Sequence, residues 1–199
     1  MARPTVYFIR HGETDWNVEG RLQGRCDIGM NARGREQATH AGITLRGLLA
    51  RDGRDSAALD FVASPLSRAC DTMRGVRTAL GLPEADFRTD AELTEISFGE
   101  WEGFTLAELR ARDPQRAAAR EQDKWRFIAP GGESYEAMSA RMGRWFATLT
   151  GDTVAVAHGG TARGLMAYLG HVPAASAPLV DIVQGAVYVF APSGLARYI

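Results

Sequence analysis

The chain has 199 residues, 45% of them hydrophobic and 24% charged, and its 23 basic and 24 acidic side chains leave a formal net charge of −1. That balance excludes a mostly disordered chain and argues against a dedicated nucleic-acid or membrane-surface binder, which would carry a charge excess. Lys124 is the one lysine, so every other basic residue is an arginine that has to be weighed by its position.

In chain order, the apolar run Thr5–Ile9 reads as a first strand and the segment 33–50 as a helix, with Ala38, Ile43, Leu45, Leu48 and Leu49 near the helical period. Asp60–Ala63 follows as a strand and 65–80 as a helix, with Ser64 as its N-cap and Pro65 as its first residue. A weaker strand is expected near Phe87–Thr89 and helices over 104–112, 134–149 and 160–169. Strands are expected at Thr153–Ala157 and Ala186–Phe190, and a weaker one at Ala196–Ile199. Segment 113–131 is polar and broken by Pro114 and Pro130-Gly131-Gly132, so it reads as an insert over one end of the sheet. The alternation predicts a three-layer α/β fold with a mostly parallel central sheet flanked by helices. One domain over 1–199, with a small helical insert at about 104–131, accounts for it.

Cys26 and Cys70 make neither a disulfide framework nor a four-ligand zinc site. The initial apolar run is too short for a signal peptide, and no stretch reaches the roughly 18 apolar residues of a membrane span, so a cytoplasmic protein is expected.

Three of the strands run into chemistry: Arg10-His11-Gly12-Glu13-Thr14, Ser64-Pro65-Leu66-Ser67-Arg68, and His158-Gly159-Gly160-Thr161. In a doubly wound sheet the carboxyl ends of parallel strands share one edge, where ligands bind. Each piece alone has a plain reading, a hydrogen-bonded histidine at a strand end or an arginine on a solvated helix face. Together, two histidines and two arginines beside His-Gly turns describe a phosphate site, because guanidinium pairs with phosphate oxygens through two bonds at once.

These blocks resemble the histidine phosphatase superfamily, the phosphoglycerate mutase-like proteins. The resemblance runs through Arg10 to Thr14 with Asn17, Arg21-Leu22-Gln23-Gly24, Gly34 to Ala38 and Ser64 to Ala69. It continues through Leu93 to Gly103, Gly131 to Ser134 and Ala157 to Gly160. It implies that His11 is the nucleophile of a phosphohistidine route, and that Arg10, Arg68 and His158 hold the phosphoryl oxygens together with Asn17. It implies Glu95 as the proton donor, with Glu92 a nearby competitor. Gln23, Gly24 and Gly159 are implied as further substrate contacts. No cofactor and no metal are implied, and His11, His40, His158 and His171 show no helical ligand pair. A neutral His11 is expected, kept so by Arg10, Arg68 and a cationic His158.

The family's fold hosts both mutases and phosphatases. Its glycolytic mutases carry a tyrosine shortly after the glutamate and a longer insert with paired arginines, whereas Phe98 stands here. The expectation is a metal-independent phosphomonoesterase acting on a small phosphorylated metabolite, with mutase-type phosphoryl transfer as the alternative. A non-catalytic binding member would lack one of His11, Arg68, Glu95 or His158, and all are present. Neither nucleic acid nor membrane is expected as a partner, and a homodimer stays open. The block Gln23 to Met30 departs from the family pattern at Asp27-Ile28-Gly29-Met30, and Cys26 within it reads as incidental. Trp125, Arg126 and Phe127 read either as substrate contacts or as packing for the insert. Arg110, Arg112, Arg116 and Arg120 read as a solvated helix face.

Overall fold

In the computed structural model, which describes residues 3–199, alternating side chains on the central strands feed two separate cores. Met1 and Ala2, included in the single-domain reading, lie outside the described residues. The elements in chain order are β1 (Val6–Arg10), α1 (Asp15–Val18), α2 (Ala32–Arg51), β2 (Asp60–Ala63), α3 (Ser67–Ala79), β3 (Arg88–Thr89) and α4 (Leu106–Arg112). They continue with α5 (Pro114–Gln122), α6 (Tyr135–Ala147), β4 (Thr153–Ala157), α7 (Gly159–Tyr168), β5 (Val187–Ala191) and β6 (Gly194–Tyr198).

Val6 and Phe8 of β1, with Ala155 and Ala157 of β4, meet α6 and α7 in one core that includes Met138, Met142, Trp145 and Leu165. Tyr7 and Ile9, with Val154 and Val156, meet α2 and α3 in the other, against Leu45, Leu49, Met73 and Val76. Strands apolar on both faces are therefore covered on both faces, as the runs imply. Burial of each such large side chain contributes about 1.5–3 kcal/mol. Ile43 is the exception among the periodic positions of α2, standing 48% exposed on its outer face.

The sheet has the order β3-β2-β4-β1-β5-β6. β1, β2, β3 and β4 run parallel, while β5 and β6 close one side antiparallel. The fold class matches the sequence reading, with this antiparallel edge added.

Two local readings change. The helix after β2 begins at Ser67, not at Pro65, and Ser64 does not cap it. Pro114 does not break the insert but opens α5, with Asp113 as N-cap accepting from the Arg116 amide at 3.1 Å. The insert has a small core of its own, Trp101, Leu109 and Ala129, joined by Leu22, Phe98, Phe104 and Phe127. Phe127 lies against Trp101 with ring centroids 5.0 Å apart, and Trp125 packs on the α6–α7 core. Both aromatics thus pack the insert onto the body.

Candidate active site

The parallel ladders extend one residue past the strands and bring three chain segments together. The His11 amide donates to the Ala157 carbonyl at 2.9 Å, and the Ser64 amide to the Val156 carbonyl at 2.9 Å. His11, Ser64 and His158 therefore sit side by side at the carboxyl edge of the sheet. The two imidazoles are 5.1 Å apart between ring centroids.

Ser64, freed from capping, pairs its Oγ with His158 Nε2 at 2.7 Å. The capping task passes to Asp27, whose Oδ1 accepts from the Ser67 amide at 2.8 Å and the Ser67 hydroxyl at 2.7 Å. The departing block is thus tied to the helix that carries Arg68. Arg68 completes the tie, donating through Nη1 to the Cys26 carbonyl at 2.7 Å and through Nη2 to the Gly24 carbonyl at 2.8 Å. Gly24 takes φ +50°, and a Cβ there would overlap the Glu102 carboxylate. Asp27→Ala is expected to cost about 1 kcal/mol of stability, as loss of a cap does, and to raise KM through a loosened Arg68. Thermal melts and steady-state kinetics check this, and Asp27→Asn, which keeps an acceptor, retains most of both.

Arg10 at the end of β1 donates from Nη1 to the Ile182 carbonyl at 2.7 Å. Among the described residues, the Nε atoms of Arg10 and Arg68 are buried without a partner. Buried donors are ordinarily satisfied, so these two suit an oxyanion. Both guanidinium pKa values are lowered, foremost by burial, with the charge of Glu95 opposing the shift.

His11 places its Nδ1 at 2.8 Å from the Gly12 carbonyl. A carbonyl only accepts, so Nδ1 carries the proton and Nε2 keeps its lone pair. Burial holds the His11 pKa well below 6.5, with Arg10 and Arg68 adding to the effect. The same holds for His158, where burial acts first and Arg68 second. Burial thus favours the neutral form of His158, against the expected imidazolium. A histidine whose pKa is depressed in the folded state stabilises the fold fully above its unfolded pKa, and that stability is lost as pH falls through the window below it. With the unfolded value at 6.5 for both rings, stability drops below this pH by as much as about 1.4 kcal/mol per pH unit for each proton taken up. Thermal midpoints measured from pH 7 downward test it, and a midpoint unmoved in that window contradicts two neutral rings.

Glu95 is held by two backbone donors: Oε1 accepts from the Ile96 amide at 2.9 Å and Oε2 from the Gly160 amide at 3.2 Å. A Cβ at Gly160 would overlap this carboxylate, so the first turn of α7 needs a glycine there. Glu92 faces away and pairs with Arg144 at 3.3 Å. Asn17 receives three hydrogen bonds on Oδ1, from the Thr14 amide and hydroxyl at 3.2 Å each and from Gln184 Nε2 at 3.0 Å. Its Nδ2 is left as the donor.

Arg10, His11, Asn17, Gln23, Gly24, Arg68 and Glu95 line one cavity of about 220 Å³. His158, fully buried, lies off the wall beside His11. Gly159 is also off the wall, where a Cβ would stand 3.4 Å from Arg163 Nη1 and 3.6 Å from Arg10 Nε. The wall further includes Arg21, Arg120, Tyr135, Gly160, Arg163 and Pro178. Arg120 thus leaves the solvated face assigned to it, its side chain 14% exposed. Arg163 follows the logic that located Arg68, a long side chain in the first turns of a helix leaning back toward the N-terminus. Cys26 directs its thiol to Glu102 at 3.3 Å, and burial followed by that carboxylate raises its pKa, so it is inert. Among the described residues no group of three or more His, Cys, Asp or Glu is placed to hold a metal ion, and no helix is long and apolar enough to cross a membrane.

Glucosyl-3-phosphoglycerate phosphatase of Mycobacterium tuberculosis is 36% identical over 195 residues, covering 89% of this chain and 80% of that protein. A bifunctional protein of the same organism is 38% identical over 139 residues, 70% of this chain but 35% of that protein, so this chain spans about a third of its length. Among solved structures, the alpha-ribazole phosphatase of Shigella flexneri superposes with a TM-score of 0.79 at 29% identity, covering 98% of this chain and 95% of that one. The family model described as histidine phosphatase superfamily (branch 1) matches residues 6–195, from the first residue of β1 into β6. The chain therefore belongs to the histidine phosphatase superfamily, branch 1.

Proposed function

We propose that this enzyme hydrolyses phosphomonoesters of small metabolites without a metal, through a phosphohistidine on His11. The observation that carries the reading is a neutral His11 whose Nδ1 is tied to the Gly12 carbonyl, beside two buried arginines with unpartnered Nε donors. The Nε2 lone pair forms a bond to phosphorus while the ester P–O bond breaks, and Glu95 gives its proton to the departing oxygen. Water then attacks phosphorus, Glu95 takes the water's proton, and the N–P electron pair returns to Nε2. Arg10, Arg68 and the Asn17 amide stabilise the phosphoryl charge throughout, which is the main demand of this chemistry. His158 supports from behind, and Gln23 and Gly24 bound the substrate side.

The named activities of the relatives, on glucosyl-3-phosphoglycerate and on alpha-ribazole phosphate, support a small phosphorylated metabolite as substrate. We read the chain as one catalytic domain with 104–131 as its roof. Its two cysteines are unpaired, in keeping with a cytoplasmic setting. The direct test is phosphate release from a broad phosphomonoester panel in EDTA. Release that persists in EDTA supports the reading; release abolished by EDTA and restored by a divalent cation overturns it.

One observation favours the mutase alternative: Arg21, Arg120 and Arg163 add cationic contacts that a retained bisphosphorylated intermediate would need. Product analysis with 3-phosphoglycerate separates the two, since free phosphate marks the phosphatase and an isomerised ester the mutase.

A further inference from the structure

The cavity carries more positive charge than one phosphoryl group uses. Arg10 and Arg68 flank His11, and Arg21, Arg120 and Arg163 reach the same wall, where Glu95 is the one acidic lining residue. The three outer arginines differ in what already neutralises them. Arg21 is committed to structure, paired with Glu19 and with Glu108 at 3.2 Å and donating to the Gly103 carbonyl at 2.8 Å. Arg163 has only neutral partners among the described residues: Nε donates to the Val180 carbonyl at 2.8 Å and Nη1 to the Tyr135 hydroxyl at 3.4 Å.

Arg120 is the odd residue of its helix. α5 buries none of its residues, and Arg116, one turn earlier, has a side chain 62% exposed. The Arg120 side chain is 14% exposed, and its single carboxylate partner among the described residues, Glu121 at 3.0 Å, is shared with Lys124. The insert therefore places a guanidinium, not an apolar side chain, against the cavity. Tyr135 stands on the same wall as both and accepts from Arg163. Its pKa is raised, foremost by burial, while the charges of Arg163 and Arg120 both act on it in the opposite sense. It stays a phenol, accepting from Arg163 and keeping its O–H as a donor.

We infer that the substrate is a phosphomonoester bearing a second anionic group, a carboxylate or a further phosphate, received by Arg163, Arg120 and the Tyr135 hydroxyl. Charge-assisted hydrogen bonds in a partly buried site are the stronger kind, and an anion here meets two cations that lack full compensation. The inference rests on the phosphomonoesterase reading.

The test compares 3-phosphoglycerate with glycerol 3-phosphate, which share a carbon skeleton and differ by a carboxylate in place of a hydroxymethyl group. Glycerol 1,3-bisphosphate supplies the phosphate arm. The wild-type enzyme is expected to favour at least one of the two esters with a second anion over glycerol 3-phosphate by about tenfold or more in kcat/KM. Arg120→Gln and Arg163→Gln, checked for folding by thermal melts, are each expected to bring that ratio toward one. Because Arg163 also holds the Val180 carbonyl, Arg120→Gln is the cleaner variant. Calorimetric binding of 3-phosphonopropionate against propylphosphonate gives the same comparison without turnover and on the wild type alone. Equal rates on all three esters with equal phosphonate affinities overturn the second-anion site and leave the phosphatase reading standing. A preference that neither substitution moves overturns the assignment to Arg120 and Arg163. Failure of every ester, nitrophenyl phosphate included, overturns the phosphomonoesterase reading, while the phosphonate pair still decides the second-anion site.

Discussion

On the proposed phosphohistidine route, His11→Ala is expected to lower turnover by at least about 10³-fold on every ester, because the covalent route is lost and nothing nearby replaces it. The neighbouring imidazole cannot substitute: His158 is fully buried, and its Nε2 is engaged by the Ser64 hydroxyl at 2.7 Å. Arg10 and Arg68 keep their anchors on the Ile182, Cys26 and Gly24 carbonyls in the variant. Affinity for inorganic phosphate or vanadate therefore changes much less than turnover does. Rapid-quench labelling adds a second readout, an acid-labile phosphoryl-enzyme in the wild type that is absent in the variant. Near-normal turnover would remove His11 from the nucleophile's role.

On the proposed acid role, Glu95→Gln is expected to separate esters by their leaving groups. An alkoxide needs a proton in the transition state and a nitrophenolate does not, so kcat/KM on alkyl phosphates falls by about 10²–10⁴-fold. On nitrophenyl phosphate the loss is far smaller. The quantity matters, because kcat/KM covers steps only through departure of the alcohol, whereas the proposed later activation of water by Glu95 enters kcat. The substituted side chain keeps a carbonyl oxygen that can accept from an amide, as Glu95 does from Ile96 and Gly160, so the change is one of proton supply more than of position. Equal losses in kcat/KM on both kinds of ester would argue against the acid role.

Where a feature depends on neighbours along the chain, it was legible before any coordinates. The two-sided apolar runs at Val6–Ile9 and Val154–Ala157 imply central strands, and central parallel strands must share a carboxyl edge. Arg10, His11 and His158 follow from that alone, and Arg68 nearly so. The family motif then singled out Glu95, Asn17, Gln23 and Gly24, all of which stand on one cavity wall.

What stayed hidden came from partners distant in sequence. A Ser-Pro pair reads as a helix start, yet the acceptor that caps α3 is Asp27, 40 positions upstream, and this frees Ser64 for His158. No periodicity distinguishes Arg120 from Arg116, since both sit on an exposed helix and only the docking of that helix aims one of them inward. The charge of His158 depended on its burial, which a motif does not state. Gln184 reaches Asn17 across 167 positions, with no local sign of the contact. Strands, sheet edge and the residues that line the candidate site are thus written into short stretches of chain, because propensity, periodicity and motif spacing act over a few residues. Protonation of the histidines, anchoring of the arginines and the cationic rim arise with the packed fold, because burial and long-range hydrogen bonds exist only once the chain has closed on itself.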